Sequence, residues 1–278
     1  MSTLSFVNTF SQVLEKINHD NPTRTIEELI AHHLNCNPLE IYNYSIKDEE
    51  IIEADIQRLL ENEPLQYVIG SVNFYGLSFN CDARALIPRS ETEILVESVI
   101  NSKVFKNNHI QIADVGTGSG CIAVTLAKKN RSACIDAIDL SGEALSLARE
   151  NAKKNDVLEN INFINEDLLT KRKDNFYDMV ISNPPYISTD EMNELHKSVK
   201  DFEPIIALEA GATGLEIYEN LVNDAYRVLQ SSGSLFLEIG YKLCIPVKEL
   251  LIHAGFKNIK IIKDYNNHDR VLVAEKNE

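Results

Sequence analysis

The sequence lacks an apolar run long enough to cross a membrane, and it contains few cysteines. No apolar run approaches the roughly 18 residues that a membrane span requires, so we expect no membrane segment. The five cysteines are scattered, odd in number and never spaced Cys-x-x-Cys, which argues against a disulfide framework and against a zinc site. No basic region precedes the first apolar residues, so no secretory signal is expected. These absences predict a protein of the reducing cytoplasm.

Basic residues are also scarce, which bears on the class of partner. Lys and Arg number 27 against 42 Asp and Glu, giving a net charge of −15. Residues 1–72 carry 12 acidic and 4 basic side chains, and the remainder carries 30 and 23, so both parts repel phosphate. Nucleic-acid binding draws much of its affinity from Lys and Arg that neutralise phosphates. We therefore expect no direct nucleic-acid binding. An acidic surface favours a basic protein as the partner.

The seven histidines are dispersed along the chain and indicate no metal site. The one adjacent pair, His32-His33, points to different sides of a predicted helix, which favours a structural role over metal binding. We predict that the protein uses no metal.

The chain divides into three parts by its periodicity. Through residues 1–71 apolar residues recur at helical spacing, which predicts a small helical domain. Residues 72–88 contain two short β-like pieces joined around Gly76, which predicts a hairpin linker. The third part, residues 89–278, opens with Ser90 and Glu93 at capping-box spacing, which predicts a helix start there.

After residue 108, predicted strands and helices alternate. The seven predicted strands cover residues 110–115, 134–139, 161–164, 177–182, 234–239, 257–262 and 270–275. Such alternation is typical of an α/β fold with a mostly parallel sheet and helices on both faces.

The tetrapeptide Asn183-Pro184-Pro185-Tyr186 follows an apolar run and therefore lies at the carboxyl end of a predicted buried strand, where open α/β sheets bind their ligands. Two consecutive prolines fix φ and remove two backbone donors, so their stiff loop leaves carbonyl oxygens free. Asn183 adds a side-chain amide with one acceptor and two donors. Such a loop is suited to holding a planar NH2 group, as on adenine, cytosine, guanine or a glutamine side chain. The alternative interpretation is a simple turn with a packed tyrosine.

A glycine-rich turn, Gly116-Thr117-Gly118-Ser119-Gly120, lies between the first strand of the α/β part and a helix. Glycines let the backbone turn tightly and approach a ligand that a Cβ would exclude. The spacing is one residue shorter than the Gly-x-Gly-x-x-Gly of dinucleotide sites, which favours a nucleoside without a pyrophosphate. Taken alone, the turn could still be a dinucleotide site.

Acidic residues follow the next two strands. Asp139 ends the second strand, where a carboxylate can accept hydrogen bonds from both ribose hydroxyls; taken alone, it could instead cap the next helix. Asp167 and Leu168 follow the third strand and can flank an adenine, with an acid for the exocyclic amine and an apolar side chain for the ring. The order of these features matches S-adenosylmethionine, which has an adenine, a ribose, a sulfonium and an amino-acid tail.

The chain resembles the HemK/PrmC family of release-factor glutamine N5-methyltransferases over nearly its whole length. The resemblance is carried by residues 63–67, 86–93, 114–120, 183–187, 201–204 and 237–241. It implies the class I methyltransferase fold, with a seven-stranded sheet, behind a small helical domain that recognises the substrate. It further implies that S-adenosylmethionine is converted to S-adenosylhomocysteine. The implied substrate is the glutamine of the Gly-Gly-Gln motif in class I peptide chain release factors.

The same resemblance implies roles for individual residues. Gly116 to Gly120 and Asp139 would bind the cofactor, with Asp167 and Leu168 near the adenine. Leu168 stands where an aromatic residue is common in the family. Asn183 and Pro184 would hold the substrate amide, while Pro185 and Tyr186 would form apolar walls beside it. These four are the candidate catalytic residues, and Asn183 is also expected to contact the cofactor.

Three alternatives remain open at this point. A related class of enzymes methylates glutamine in a large-subunit ribosomal protein with the same catalytic loop. Adenine-N6 methyltransferases of nucleic acids share Asn-Pro-Pro-Tyr, but they must also grip phosphate and extrude a base, which the acidity of both parts disfavours. A cofactor-binding regulator without catalysis is the third, and the substrate-gripping loop argues against it.

Overall fold

The protein is described here by a computed structural model that covers residues 2–17 and 19–277. The chain forms two compact units. The first comprises residues up to Ser71 together with His196–Phe202, and the second comprises Val72–Leu195 and the residues from Glu203 onward.

Helices and strands are numbered in chain order. The helices are α1 Thr3–Glu15, α2 Pro22–Leu34, α3 Glu49–Leu60, α4 Leu65–Ile69, α5 Ser90–Ile100, α6 Cys121–Lys129, α7 Gly142–Lys154, α8 Lys197–Lys200, α9 Glu216–Val228 and α10 Cys244–Ala254. The strands are β1 Ser71–Phe74, β2 Leu77–Asn80, β3 Gln111–Val115, β4 Cys134–Asp139, β5 Ile161–Asn165, β6 Tyr177–Ser182, β7 Leu229–Glu238, β8 Lys257–Lys263 and β9 Asp269–Glu275.

The first unit is helical. Its core is formed by one apolar stripe from each of α1, α2 and α3, because apolar residues three and four positions apart share a helix face. Phe6, Leu29 and Ile56 are fully buried representatives of the three stripes. Of the two adjacent histidines of α2, His33 pairs through Nε2 with Asp55 of α3 at 2.8 Å.

The second unit is built on a seven-stranded sheet in the order β5-β4-β3-β6-β7-β9-β8. Strands β5, β4, β3, β6 and β7 pair in parallel, and β9 runs antiparallel to both of its neighbours. Helices α5, α6 and α7 pack on one face and α9 and α10 on the other, each over its own apolar core. The predicted α/β class and mostly parallel sheet are confirmed.

The order of strands places a crevice between β3 and β6. The chain leaves β3 toward β4 on one side, whereas it leaves β6 toward β7 on the other. Ligands of open α/β sheets bind at such a reversal, outside the carboxyl ends of the strands. Val115 of β3 lies in register with Ser182 of β6, and the Ser182 hydroxyl donates to the Val115 carbonyl at 2.6 Å. The segments that begin at Gly116 and Asn183 therefore start side by side.

Strands β1 and β2 pair as a two-stranded sheet and are tied to the α/β core by Asn151 of α7. The buried Asn151 amide accepts from the Asn80 nitrogen at 2.6 Å and donates to the carbonyls of Asn80 and Ser119 at 3.1 and 2.9 Å. One side chain thus joins the end of β2, the glycine-rich turn and α7.

The predicted capping box at Ser90 and Glu93 is wrong. Helix α5 does begin at Ser90, but its cap position is Arg89, which has no side-chain capping bond. The Glu93 carboxylate instead accepts from the Tyr75 nitrogen of the hairpin turn at 2.6 Å. The Glu93 carboxylate, which the local pattern assigned to the start of α5, therefore forms a tertiary contact instead of a helix cap.

Candidate active site

A cavity lies at the carboxyl ends of β3, β4, β5 and β6, within the second unit. Most of its lining comes from residues 84–89, 115–119, 138–141 and 166–168. Asn183, Pro185, Pro204, Ile206 and Ala207 complete this part of the wall. The structure therefore brings together nearly all of the residues proposed from the sequence. Gly120, Pro184 and Tyr186 are not among the lining residues.

The three glycines of the glycine-rich turn have positive φ, and each has a reason for lacking a side chain. Gly116, Gly118 and Gly120 have φ of 70°, 55° and 80°. Gly116 and Gly118 line the cavity with their backbone. Gly120 lies beneath it, where an added Cβ would come within 2.9 Å of the Ala148 Cβ in α7. The first two glycines therefore open the backbone to a ligand, and the third allows α6 and α7 to pack closely.

Asp139 fixes the shape of this turn from the end of β4. Its Oδ2 accepts from the Gly118 nitrogen and its Oδ1 from the Ser141 nitrogen, both at 2.8 Å. Burial raises the pKa of Asp139, and the two backbone hydrogen bonds oppose that shift. Asp139 is not the cap of α7, because Ser141 holds that position and accepts from the Ala144 nitrogen at 3.2 Å.

Asp114 supports the same turn and received no role from the sequence. Its Oδ2 accepts from the Thr117 hydroxyl at 2.6 Å and from the Ala123 nitrogen at 3.1 Å, which ties together the turn and the start of α6. Its Oδ1 is buried and has no hydrogen-bond partner in the part of the chain that the structure describes. Burial raises the pKa of Asp114 to about 7. The sequence signal for this role is a carboxylate within the apolar run of residues 112–115.

Asp167 and Leu168 lie together at the edge of the cavity after β5. Asp167 is exposed, whereas Leu168 is half-buried and adopts a left-handed backbone with φ of 51°. Beneath them the buried Glu166 accepts from the Lys171 nitrogen at 2.5 Å and pairs with Arg172 at 2.7 Å. The turn is thus fixed from below while its upper side faces the cavity.

One end of the Asn183 amide forms a hydrogen bond within the protein, and the other end does not. Its Nδ2 donates to the hydroxyl of Thr92, a buried residue of α5, at 3.1 Å. Among the hydrogen bonds formed by residues 2–17 and 19–277, none ends on Asn183 Oδ1 or on the Pro184 carbonyl. Two acceptors at the end of β6 are therefore available beside the cavity.

The other two residues of the tetrapeptide differ in position. Pro185 lines the cavity, as an apolar wall would. The Tyr186 ring packs instead against Gly240, where an added Cβ would lie 3.1 Å from its Cδ2. The Tyr186 carbonyl lies closer still to Gly214, at 2.6 Å from the position of an added Cβ. Two glycines thus make room for Tyr186 beneath the loop.

A buried carboxylate joins two further segments of the cavity wall. Glu203 is 4% exposed and accepts from the Ile87 nitrogen at 3.1 Å while pairing with the Arg89 guanidinium. Residues 84–89 and 204–207 are held together by this carboxylate. From the sequence, residues 72–88 are expected in a linker, and residues 86–93 and 201–204 are parts of the family resemblance, with no role in the cavity wall.

Two features are absent from the part of the chain that the structure describes. No group of three or more His, Cys, Asp or Glu side chains arranged to hold a metal ion occurs within residues 2–17 and 19–277. Over the same residues no helix combines the length and apolarity needed to cross a bilayer.

The chemistry of the cavity fits an adenosyl ligand. The glycine-rich turn offers backbone without side chains, Asp139 adds a carboxylate at the adjacent strand end, and Ile138, Leu140 and Leu168 add apolar surface. A ribose requires hydroxyl acceptors and an adenine requires apolar walls, so each part of the lining has a corresponding part in such a ligand.

Two family models match the chain. The methyltransferase small domain matches residues 90–201, and the PrmC N-terminal domain matches residues 6–70. Among curated relatives, the release factor glutamine methyltransferase of Thermodesulfovibrio yellowstonii is 36% identical over 92% of this chain and 93% of its own length. The protein of the same name from Lactococcus lactis is 42% identical over 84% of this chain and 86% of its own.

Solved structures show the same fold at low identity. The catalytic domain of human Mettl16, solved in complex with an RNA hairpin, aligns with a TM-score of 0.58 over 82% of this chain and 83% of its own, at 18% identity. At this identity the likeness shows the fold alone, and the predicted methyltransferase fold is confirmed.

We expect Gly120→Ala to destabilise the protein by about 2–4 kcal/mol, because a left-handed alanine is strained and its Cβ would overlap Ala148. Urea unfolding measures the change. Gly142→Ala is the matched control, since Gly142 begins α7 with nothing within 4 Å of an added Cβ and no positive φ. The control should be neutral or stabilised by up to about 1 kcal/mol. Equal stability of the two variants would contradict the packing role of Gly120.

Proposed function

The chain belongs to the release factor glutamine methyltransferase family, and we propose that it methylates the side-chain amide nitrogen of the glutamine in the Gly-Gly-Gln motif of class I peptide chain release factors. The observation that supports this most directly is the pair of available acceptors, Asn183 Oδ1 and the Pro184 carbonyl, beside the cofactor cavity. A primary amide carries two N–H donors, one for each acceptor. Class I release factors act in the cytoplasm, where we place this reaction.

The cavity is assigned to S-adenosylmethionine, the cofactor of this family and fold. We assign its contacts to Gly116, Thr117, Gly118 and Ser119 of the turn, with Gly120 supporting the turn from below. Asp139 would accept from the ribose hydroxyls, since each of its oxygens keeps a lone pair beyond the one used by the backbone.

The adenine end of the cavity is assigned to the turn after β5. Asp167 would accept from the exocyclic amine and Leu168 would contact the ring. Asn183 would contact both the cofactor and the substrate, because it lies at the meeting point of β3 and β6.

The chemical problem is that an amide nitrogen is a poor nucleophile, because its lone pair is delocalised into the carbonyl. When bound, S-adenosylmethionine supplies an electrophilic methyl group for that nitrogen. Asn183 Oδ1 and the Pro184 carbonyl each accept one N–H, which orients the nitrogen and stabilises the positive charge that develops on it. Orientation of this kind can lower a barrier by about 7–11 kcal/mol in favourable cases.

No strong base is needed while the new bond forms. The proton is lost afterwards, when the alkylated amide has become far more acidic. Pro185 excludes water from one side of the amide, because it lines the cavity with an apolar ring. Tyr186 packs on Gly240 and supports the loop from below. It does not line the cavity, so it does not form the second apolar wall expected from the sequence.

The direct test incubates the full chain with methyl-labelled S-adenosylmethionine and a purified class I release factor, followed by mass mapping of the labelled peptide. We expect a single methyl group on the Gly-Gly-Gln glutamine. A ribosomal-protein fraction and an adenine-containing oligonucleotide are parallel substrates. Methylation of either one, with the release factor unlabelled, would overturn the proposed substrate.

Asn183→Ala should lower kcat by at least about 100-fold, because one of the two preorganised acceptors is lost. The dissociation constant for S-adenosylmethionine should change by only a small factor. Asn220→Ala is the control, since Asn220 is exposed on α9 and its amide bonds only within that helix. Turnover of Asn183→Ala equal to that of the control would refute the assigned role.

Asp139→Ala should instead weaken cofactor binding, by about 10- to 100-fold, because hydrogen bonds to a charged group are worth about 1.5–3 kcal/mol. Titration calorimetry measures the dissociation constant. Asp136→Ala is the control. Asp136 lies in the same strand, but its carboxylate accepts from the Tyr177 hydroxyl and does not line the cavity. An unchanged affinity in Asp139→Ala, equal to that of Asp136→Ala, would count against the ribose assignment.

We further infer a division of labour in which residues 1–71 recognise the protein substrate, residues 72–88 link, and residues 89–278 carry out the transfer. The 12 acidic and 4 basic side chains of residues 1–72 support attraction to a basic surface. Neutralising the exposed Glu50 and Glu53 of α3 to Gln should raise KM for the release factor severalfold at low salt and leave kcat unchanged. Neutralising Glu143 and Glu159, exposed in the second unit, is the control. Equal KM values for the two double variants would argue for a passive first unit.

A further inference from the structure

Exposed aromatic and apolar side chains lie beside the tetrapeptide loop, residues 183–186. Tyr241 and Ile245 are 54% and 72% exposed, and His268 is exposed as well. The rings of Tyr241 and His268 lie with their centroids 5.2 Å apart. We call Tyr241, Ile245 and His268 the rim patch. Single exposed apolar residues are common on protein surfaces, whereas a group of them beside a site is typical of a binding surface.

The sheet brings the rim patch to the edge that carries the tetrapeptide loop. Strand β7 pairs in parallel with β6, so Gly240, which follows β7, lies next to the end of β6. Strands β7 and β8 both run antiparallel to β9, so the turn between β8 and β9, which holds His268, reaches the same edge. Arg270 joins this turn to the end of β7, because its guanidinium donates to the Ile239 carbonyl and pairs with Asp264, both at 3.1 Å.

The turn from Gly240 to Leu243 contacts the tetrapeptide loop and the chain that follows it. Gly240 packs against the Tyr186 ring, and the Leu243 side chain lies 3.5 Å from the position of a Cβ added to Gly240. Lys242 pairs with Glu191 at 2.8 Å. Because Leu243 is the residue before α10, the first turn of α10 starts beside the tetrapeptide loop.

The cofactor cavity lies on the other side of the loop. It opens at the ends of β3, β4 and β5, and none of the three rim-patch residues is among its lining residues. Along the edge of the sheet, Asn183 Oδ1 and the Pro184 carbonyl therefore lie between the cavity and the rim patch. A protein that presents a glutamine to these acceptors must also bring the chain on either side of that glutamine to this edge. Since the cofactor cavity occupies the β3 side, the β7 side is left for the protein.

We propose that the rim patch binds the protein substrate through the polypeptide that flanks the reactive glutamine. The identity of that protein as a class I release factor rests on the proposed function. Tyrosine is among the residue types that dominate the energetics of protein interfaces, and Ile245 adds apolar area at the start of α10. Charged groups border the patch, since Lys242 Nζ lies 5.7 Å from the centroid of the Tyr241 ring. An apolar centre with a polar rim is the usual composition of such an interface.

Helix α10 offers a matched pair of variants. Ile245 and Ile252 are seven residues apart, which is close to two helical turns, so they share a face of α10. Both are exposed, at 72% and 54%. Ile252 lies about 10 Å further along the helix, close to the start of β8 at the opposite edge of the sheet. Alanine at either position removes the same side chain from the same face, but only Ile245 belongs to the rim patch.

The binding test titrates a purified class I release factor into the full chain loaded with S-adenosylhomocysteine. Tyr241→Ala should raise the dissociation constant for the release factor roughly 10- to 30-fold, and Ile245→Ala roughly 3- to 10-fold, since each removes a buried interface side chain. Ile252→Ala should stay within about twofold of the wild type, and Tyr241→Phe, which keeps the ring, should bind like the wild type. Wild-type affinity in Tyr241→Ala, with equal affinities for Ile245→Ala and Ile252→Ala, would overturn the proposal.

Kinetics separate substrate binding from damage to the site. In Tyr241→Ala the KM for the release factor should rise by a similar factor, while kcat and the dissociation constant for S-adenosylmethionine stay unchanged. The reason is that the rim patch lies outside the cavity and touches none of the reacting atoms. A lower kcat with an unchanged KM would show that Tyr241 supports the loop instead of binding the substrate, and it would overturn the proposal.

The two proposals fail in different ways. If the wild type binds the release factor but transfers no methyl group to it, the proposed function fails and the calorimetry still decides the rim patch. If the wild type methylates the Gly-Gly-Gln glutamine while all four variants bind equally well, the proposed function stands and the rim patch is refuted. An absence of any binding by the wild type would overturn both.

Discussion

The parallel pairing of β3 with β6 brings two loops of different chemistry to one edge of the sheet. Val115 and Ser182 are paired in register, and the Ser182 hydroxyl donates to the Val115 carbonyl. The two strands therefore end at the same height in the sheet, and the glycine-rich turn and Asn183 begin beside one another. Methyl transfer requires that the methyl group of the cofactor in one loop lies next to the amide nitrogen held by the other. The register of two strands therefore determines where the chemistry can occur.

Buried carboxylates hold the loops around this edge. Asp114 and Asp139 accept backbone N–H groups of the glycine-rich turn and its flanks, and Glu203 does the same for the segment that begins at Arg84. Charged acceptors make stronger hydrogen bonds than neutral ones, and in a dry site they hold irregular backbone that has no sheet or helix partner.

The fold could be predicted from the sequence because apolar strands, helical stripes and the glycine-rich turn are local patterns. The role of Asp114 could not, although this residue is visible as an acid within the apolar run of residues 112–115. That role depends on partners that only the folded chain supplies, namely the Thr117 hydroxyl and the Ala123 nitrogen. The capping box at Ser90 failed for the same reason, since the hairpin supplied a competing donor for Glu93.

The proposed reaction requires that two acceptors at the end of β6 hold a glutamine amide. A crystal structure of the chain with S-adenosylhomocysteine and a peptide containing Gly-Gly-Gln would measure this directly. We predict that the glutamine nitrogen lies within about 3 Å of both Asn183 Oδ1 and the Pro184 carbonyl. A glutamine bound through its carbonyl oxygen to Asn183, or bound away from this loop, would contradict it.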